Sequence, residues 1–176
     1  MKQAEPTFEP QVQKGIAKLK AMGCMSKGQG QMSTKLEKGS YHSDQSLRLL
    51  ADLDNTKSKT DCKSIVMTLV QDVKLNAGDS TYSMKIPLGS TKVTGLLKGE
   101  ASGGLNKFCD FDLGEMKVKT SKKDMKSLTE NEQLYASKIQ PTITGQFITV
   151  DYHIEATAVY GGGKAKTNNP IFLNPP

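Results

Sequence analysis

The chain has 176 residues, 36% of them hydrophobic, and its 24 Lys+Arg against 18 Asp+Glu give a formal charge of +6. A chain of that length buries roughly 70% of its unfolded surface without staples, and no run approaches the ~20 apolar residues of a membrane span. The opening "MKQAEPTFEP" lacks the apolar centre of a signal peptide, and Cys24, Cys62 and Cys109 are an odd set with no C-x-x-C pair, so a reduced, cytoplasmic protein is expected.

In chain order, "QVQKGIAKLKAM" sets Val12, Ile16 and Leu19 at i, i+4 and i+7 among lysines, the pattern of a short amphipathic helix. "GCMSKGQGQ" then reads as a flexible link, so residues 1–31 are expected to be an N-terminal extension or linker. From residue 32 the dominant period is two, the mark of half-buried strands. "MSTKLEK" and "SLRLLADLD" are short candidates, followed by a long one, "CKSIVMTLVQDVKL". There Ile65, Met67, Leu69, Val73 and Leu75 share a face that Gln71 interrupts. "TYSMKIPL", "TKVTGLL" and "FCDFDLGEMKVK" follow; in the last, Phe111 and Leu113 change phase to Met116 and Val118 around Gly114, which a bulge would restore. Residues 120–136 read as a polar loop. In "TVDYHIEATAVY" the residues Val150, Tyr152, Ile154, Ala156, Ala158 and Tyr160 face in, and "PIFLNP" closes the chain. The turn clusters "KGSYHSDQ", "DNTKSKTD", "NAGDS", "LGS", "GEASGGLN" and "YGGGKAKTNN" separate these strands. The fold class expected is all-β, an antiparallel two-sheet sandwich over residues 32–176.

Side chains with chemistry to offer are few. Asp151, His153 and Glu155 are the vocabulary of a metal or acid–base site, but neighbours i and i+2 on a strand stand about 6.6–7 Å apart. Metal donors lie near 2.0–2.2 Å from zinc, so a straight strand cannot converge these three on one ion. They read as a solvated face, with His153 at the surface. Cys62 and Cys109 fall in strands as small buried thiols, whereas Cys24, among glycines, is the exposed thiol and a candidate for lipidation. No G-x-x-x-x-G-K-S/T, G-x-G-x-x-G or G-x-S-x-G context occurs, so neither catalysis, cofactor nor metal binding is expected. Arg48 is the only arginine, which argues against sequence-specific nucleic-acid reading. Lys117, Lys119, Lys122, Lys123 and Lys126 crowd "KVKTSKKDMK", either as a patch for an anionic lipid head group or phosphorylated segment, with a peripheral place at membranes, or as a solvated edge.

Three phrases carry a family likeness. "YHSDQSLRLLADLDNTKSKTDCKSIVMTLVQDVKL" resembles the opening of the C-terminal domain of arrestins and arrestin-domain-containing proteins: a Tyr-led turn, a strand ending in an Asn-containing turn, and a long strand with a Leu–x–Gln element, here Leu69 and Gln71. "QPTITGQFITVDYHIEATAVYG" is similar to the late long strand of that domain, through Gly145, Phe147, Ile148, Val150 and Tyr152, and "NNPIFLNPP" to its closing strand, bracketed by Pro170 and Pro175. The resemblance implies an immunoglobulin-like sandwich and a non-enzymatic adaptor or scaffold, binding protein partners and linking membrane cargo to trafficking or signalling machinery. Arrestins pair two sandwiches, so the chain reads as a fragment or as a single-domain relative. No P-P-x-Y motif or acidic–leucine box accompanies it. The alternative is a structural sandwich subunit of a larger, for example cytoskeletal, assembly.

Overall fold

The computed structural model describes residues 8–21, 25–118, 130 and 138–175. These form strands β1 (Gln13–Ala21), β2 (Met25–Leu36), β3 (Ser40–His42), β4 (Ser46–Asp54), β5 (Cys62–Ala77), β6 (Ser80–Leu96), β7 (Lys107–Asp112), β8 (Ile143–Thr144), β9 (Ile148–Tyr160) and β10 (Gly163–Asn174). One sheet runs β1-β2-β4-β7 and the other β3-β10-β9-β5-β6, with β8 on β9. The β3–β10 pair is parallel and the other described strand pairs are antiparallel. The expected two-sheet sandwich is therefore the fold.

Between the sheets lie the period-two residues: Leu47, Leu49 and Leu53 from β4, Ile65, Met67 and Leu69 from β5, and Ile154, Ala156 and Ala158 from β9, all buried. Polar residues on these inner faces are paired with each other, as buried donors must be. Gln71, the interruption in β5, donates through Nε2 to the Tyr152 hydroxyl at 2.8 Å, which donates on to the Gln140 carbonyl at 2.8 Å. Thr34 of β2 donates to Thr167 Oγ1 of β10 at 2.7 Å and accepts from Asn169 Nδ2 at 2.8 Å, stitching one sheet to the other. Asn55 knots the turn after β4: its Nδ2 donates to the Leu96 carbonyl at 3.0 Å and its Oδ1 accepts from the Tyr160 hydroxyl at 2.8 Å.

Several local expectations are corrected. Residues 13–21 are not helical but form β1, in which Ala17 and Leu19 are buried while Ile16, the centre of the presumed helical stripe, stays 57% exposed. Pairing to β2 overrides the helical spacing, and a side chain at Gly15 would strike the backbone of Lys166, so β1 closes the sandwich edge against β10. The presumed link at 23–31 enters β2, where Gly30 leaves room for the Tyr160 ring. Met22 to Cys24 lie outside the described residues, and with them the Cys24 reading.

"TYSMKIPL" and "TKVTGLL" are a single strand, because Pro87 sits on an edge strand that needs no second partner for its missing N–H. The register shift between Leu69 and Val70 passes over Leu88. β7 stops at Asp112 rather than continuing through a bulge: the Asp112 carboxylate accepts from the Gly114 and Glu115 amides, which makes a turn. Of "YGGGKAKTNN" only Gly161 and Gly162 turn, since β10 already begins at Gly163, and Ser40–His42 of the first turn cluster is β3. The loop expected at 120–136 lies outside the described residues apart from Glu130.

Candidate functional site

The polar face of β9 is not the solvated surface expected. On the outside of the larger sheet, Val70 of β5 and Pro170 of β10 flank His153 in register, and its side chain is only 6% exposed. Its Nδ1 lies 2.8 Å from Asp72 Oδ2 and its Nε2 3.3 Å from Glu155 Oε1. Lys85 of β6 reaches the same two carboxylates at 3.9 and 3.7 Å. The hydrogen bond from His153 holds the Glu155 carboxyl below its ordinary range.

The members come from three strands, with Asp72 and Lys85 on one hairpin and His153 and Glu155 on β9 far along the chain. Asp72 and Lys85 had no marker in the sequence beyond lying at outward positions. Beside the cluster opens a groove of about 590 Å³ lined by Phe8, Asp72, Asp151, His153, Pro170 and Phe172 among others. Its described partners give His153 carboxylates and no thiol or hydroxyl to activate, so the arrangement is a charge network rather than a nucleophile–base pair. Among the described residues no group of three or more His, Cys, Asp or Glu could hold a metal ion.

The cysteines lie elsewhere. Cys62 and Cys109 are buried and free, and burial raises both thiols, Cys109 to about 12. They are poor nucleophiles for that reason. Arg48 is committed within its sheet: Nε and Nη2 donate to Asp110 Oδ1 and Oδ2 at 2.7 and 2.9 Å, and the guanidinium lies 4.6 Å from the Phe108 ring centre. Of the lysine run, Lys117 bridges to Lys138 through the backbone, whereas Lys119, Lys122, Lys123 and Lys126 lie outside the described residues.

A third surface was not anticipated. The inner face of β5 changes along its length from buried Leu69 to half-buried Val73 to exposed Leu75. Its neighbours follow: Tyr82 and Met84 on β6 and Ile148 on β9 are exposed. The alternation that identified the strands could not show this, because it marks which residues face inward but not how far the opposite sheet reaches.

Strand order, the Asn55 turn and the Gln71–Tyr152 bond can be set beside known proteins. Comparison with curated proteins gives no significant match. Among solved structures, that of Spo0M, a sporulation control protein from Bacillus subtilis, is similar with a TM-score of 0.52 and 16% identity, over 82% of this chain and 49% of that one. That likeness is one of fold, and this chain spans about half the length of that protein. The family model described as "Arrestin (or S-antigen), C-terminal domain" matches residues 26–176, a span from β2 to the end of β10 that includes each of the polar ties described above, and the chain belongs to that family.

Proposed function

We propose that the chain is a non-enzymatic protein-binding module of the arrestin type, serving as an adaptor or scaffold in membrane cargo trafficking or signalling. The observation that carries this reading is the exposed apolar end of the β6–β5–β9 ribbon, where Leu75, Tyr82, Met84 and Ile148 meet solvent on neighbouring strands. Contiguous apolar surface with aromatic members is the character of protein interfaces. Its occupant is an apolar segment of a protein partner. The cytoplasmic setting and the reading of Lys117, Lys119, Lys122, Lys123 and Lys126 as a contact for an anionic head group or phosphorylated segment belong to the same proposal.

Affinity capture from a membrane fraction tests it, with wild type beside a Tyr82→Ser/Met84→Ser variant. Membrane cargo or coat proteins retained by the wild type and lost several-fold by the variant support the adaptor. Equal recovery by both, or recovery of cytoskeletal subunits alone, refutes it. The second reading, a structural subunit of a larger assembly, is favoured by one feature, the long edge of β6 that no other described strand pairs, where a strand from another chain could add.

A further inference from the structure

The groove beside His153 lies on the outer face of the larger sheet, opposite to the face that carries Leu75 and its neighbours, and the charge network does not fill it. Distant parts of the chain build its walls. Ile171 pairs with Tyr152, which brings Phe172 of β10 level with Asp151 of β9, and Pro170 stands level with His153. From the other end of the chain, the segment before β1 crosses Gly39, where a side chain would strike the Phe8 carbonyl, and this close passage sets the 44% exposed Phe8 on the groove. Two phenyl rings and a proline thus line the same space as two carboxylates, Asp72 and Asp151.

The carboxylates are placed in a way that stability alone does not explain. Asp72 and Asp151 stand directly opposite each other on β5 and β9, a like-charge pair that destabilises a sheet. Asp72 is compensated: its Oδ2 lies 2.8 Å from His153 Nδ1 and its Oδ1 lies 3.9 Å from Lys85 Nζ. Lys85 approaches from β6 and does not line the groove. Asp151 is half-buried, and among the described residues its carboxylate has no hydrogen bond or ion pair. In a chain whose formal charge is +6, the groove therefore keeps an uncompensated negative charge beside aromatic rings.

We propose that the groove docks a basic segment of a protein partner, with an arginine side chain seated against Asp151 and the rings of Phe8 and Phe172. A guanidinium is planar, donates two parallel hydrogen bonds to a carboxylate and stacks on aromatic faces, so it meets both kinds of group that line the groove. The occupant is a peptide rather than a small cation, because about 590 Å³ exceeds what one guanidinium fills. Gln13 and Asn168 line the remaining space, and their amides, which bond no other described side chain, suit the N–H and C=O groups of a peptide backbone. The proposal is independent of the apolar ribbon end: it uses the other face of the sheet and a partner segment of opposite character, so either can fail without the other.

The test is calorimetric titration of the full chain with the peptide acetyl-Ser-Arg-Gly-Arg-Ser-amide, with its counterpart carrying glutamate in place of arginine, and with agmatine, a guanidinium without a peptide. Wild type is compared with Asp151→Asn, with Phe8→Ala and with a charge-matched control, Glu115→Gln, whose side chain is exposed on the turn after β7. The expected result is binding of the arginine peptide and none of the glutamate peptide. Asp151→Asn weakens that binding about tenfold, the loss of one charge-assisted pair. Phe8→Ala weakens it about threefold, and the control less than twofold.

Thermal melting of the same proteins supplies a readout that a purely structural carboxylate would move the other way. Removing one of two opposed charges leaves the Tm of Asp151→Asn equal to or above that of wild type. A lower Tm in that variant would make Asp151 a structural residue and overturn the proposal. So would absence of arginine-peptide binding, affinity unchanged by Asp151→Asn or by Phe8→Ala, or equal weakening by Asp151→Asn and Glu115→Gln. Agmatine bound as tightly as the peptide would overturn the protein partner and make the groove a small-cation site.

Discussion

Removing the hydroxyl of Tyr152 should cost more than removing its partner amide, although both belong to one buried chain of hydrogen bonds. The hydroxyl accepts from Gln71 Nε2 and donates to the Gln140 carbonyl, each at 2.8 Å. In Tyr152→Phe the Gln71 amide is left in the core with no acceptor, a loss of about 1–3 kcal/mol. The Gln140 carbonyl, in a half-buried residue, can turn to water and adds little. In Gln71→Leu the hydroxyl keeps its bond to Gln140, so only one neutral bond is lost, about 0.5–1.5 kcal/mol, against which the new apolar side chain is buried. Replacing both should therefore cost less than the sum of the two, with a coupling of about 1 kcal/mol. The assay is urea denaturation of the four proteins at constant m, checked by melting, where each kcal/mol moves Tm by about 2–4 °C in a chain of this size. Should Gln71→Leu destabilise as much as Tyr152→Phe, or the two losses simply add, Tyr152 is not the hub of the chain and the reasoning fails.

Three further outcomes follow from the geometry. Gly30→Ala places a methyl group against the buried Tyr160 ring and should destabilise by about 1–3 kcal/mol in the same denaturation assay, whereas alanine at Gly161, where nothing stands nearby, should not. Glu155, whose carboxyl lies below its ordinary value of 4.5 because His153 donates to it, contributes stability that is present above that pH and lost as pH falls through the folded value. The Tm gap between wild type and Glu155→Gln should accordingly be open at pH 6 and close towards pH 3; a gap that widens on acidification would contradict the sign. Cys62 and Cys109, buried and with raised thiols, should resist alkylation at pH 8 until denaturant is added, as read by mass spectrometry of the labelled peptides.

What was legible in the sequence was whatever depends on near neighbours in the chain. Val150, Tyr152, Ile154 and Ala156 alternate within a few residues and so announce β9, and the same holds for β4 and β5. β1 was misread because its apolar residues fit two periods at once. The choice between them was made by β2 and by the backbone of β10, which lies nearly 150 residues further on. His153 was placed at the surface because outward usually means wet. It is dry because Val70 and Asp72 of β5 and Pro170 of β10 close over it. The groove was illegible for a related reason, since Phe8, Asp72, Asp151 and Phe172 become neighbours only when β5, β9, β10 and the segment before β1 assemble. The run at 117–126 was conspicuous merely because it is contiguous.

The polar residues also settle a question that the alternation leaves open. Sliding β9 by two residues along β5 keeps every apolar side chain inside, so hydrophobic burial separates the possible registers weakly. In the observed register Gln71 stands opposite Tyr152 and Asp72 is diagonal to His153. A slip in one direction leaves His153 beside Asp72 but sets Gln71 against Ile154, with no hydroxyl to receive its amide. A slip in the other sets Gln71 against Val150 and carries His153 to Thr68, so both ties are lost. Only one register satisfies an inner and an outer polar contact together. An unpaired buried amide is costly, so these two contacts discriminate where the apolar residues do not. That register also sets Leu75 opposite Ile148, with Tyr82 on the far side of Leu75. The make-up of the exposed apolar end is thus fixed by polar side chains, Gln71 and His153, that take no part in it.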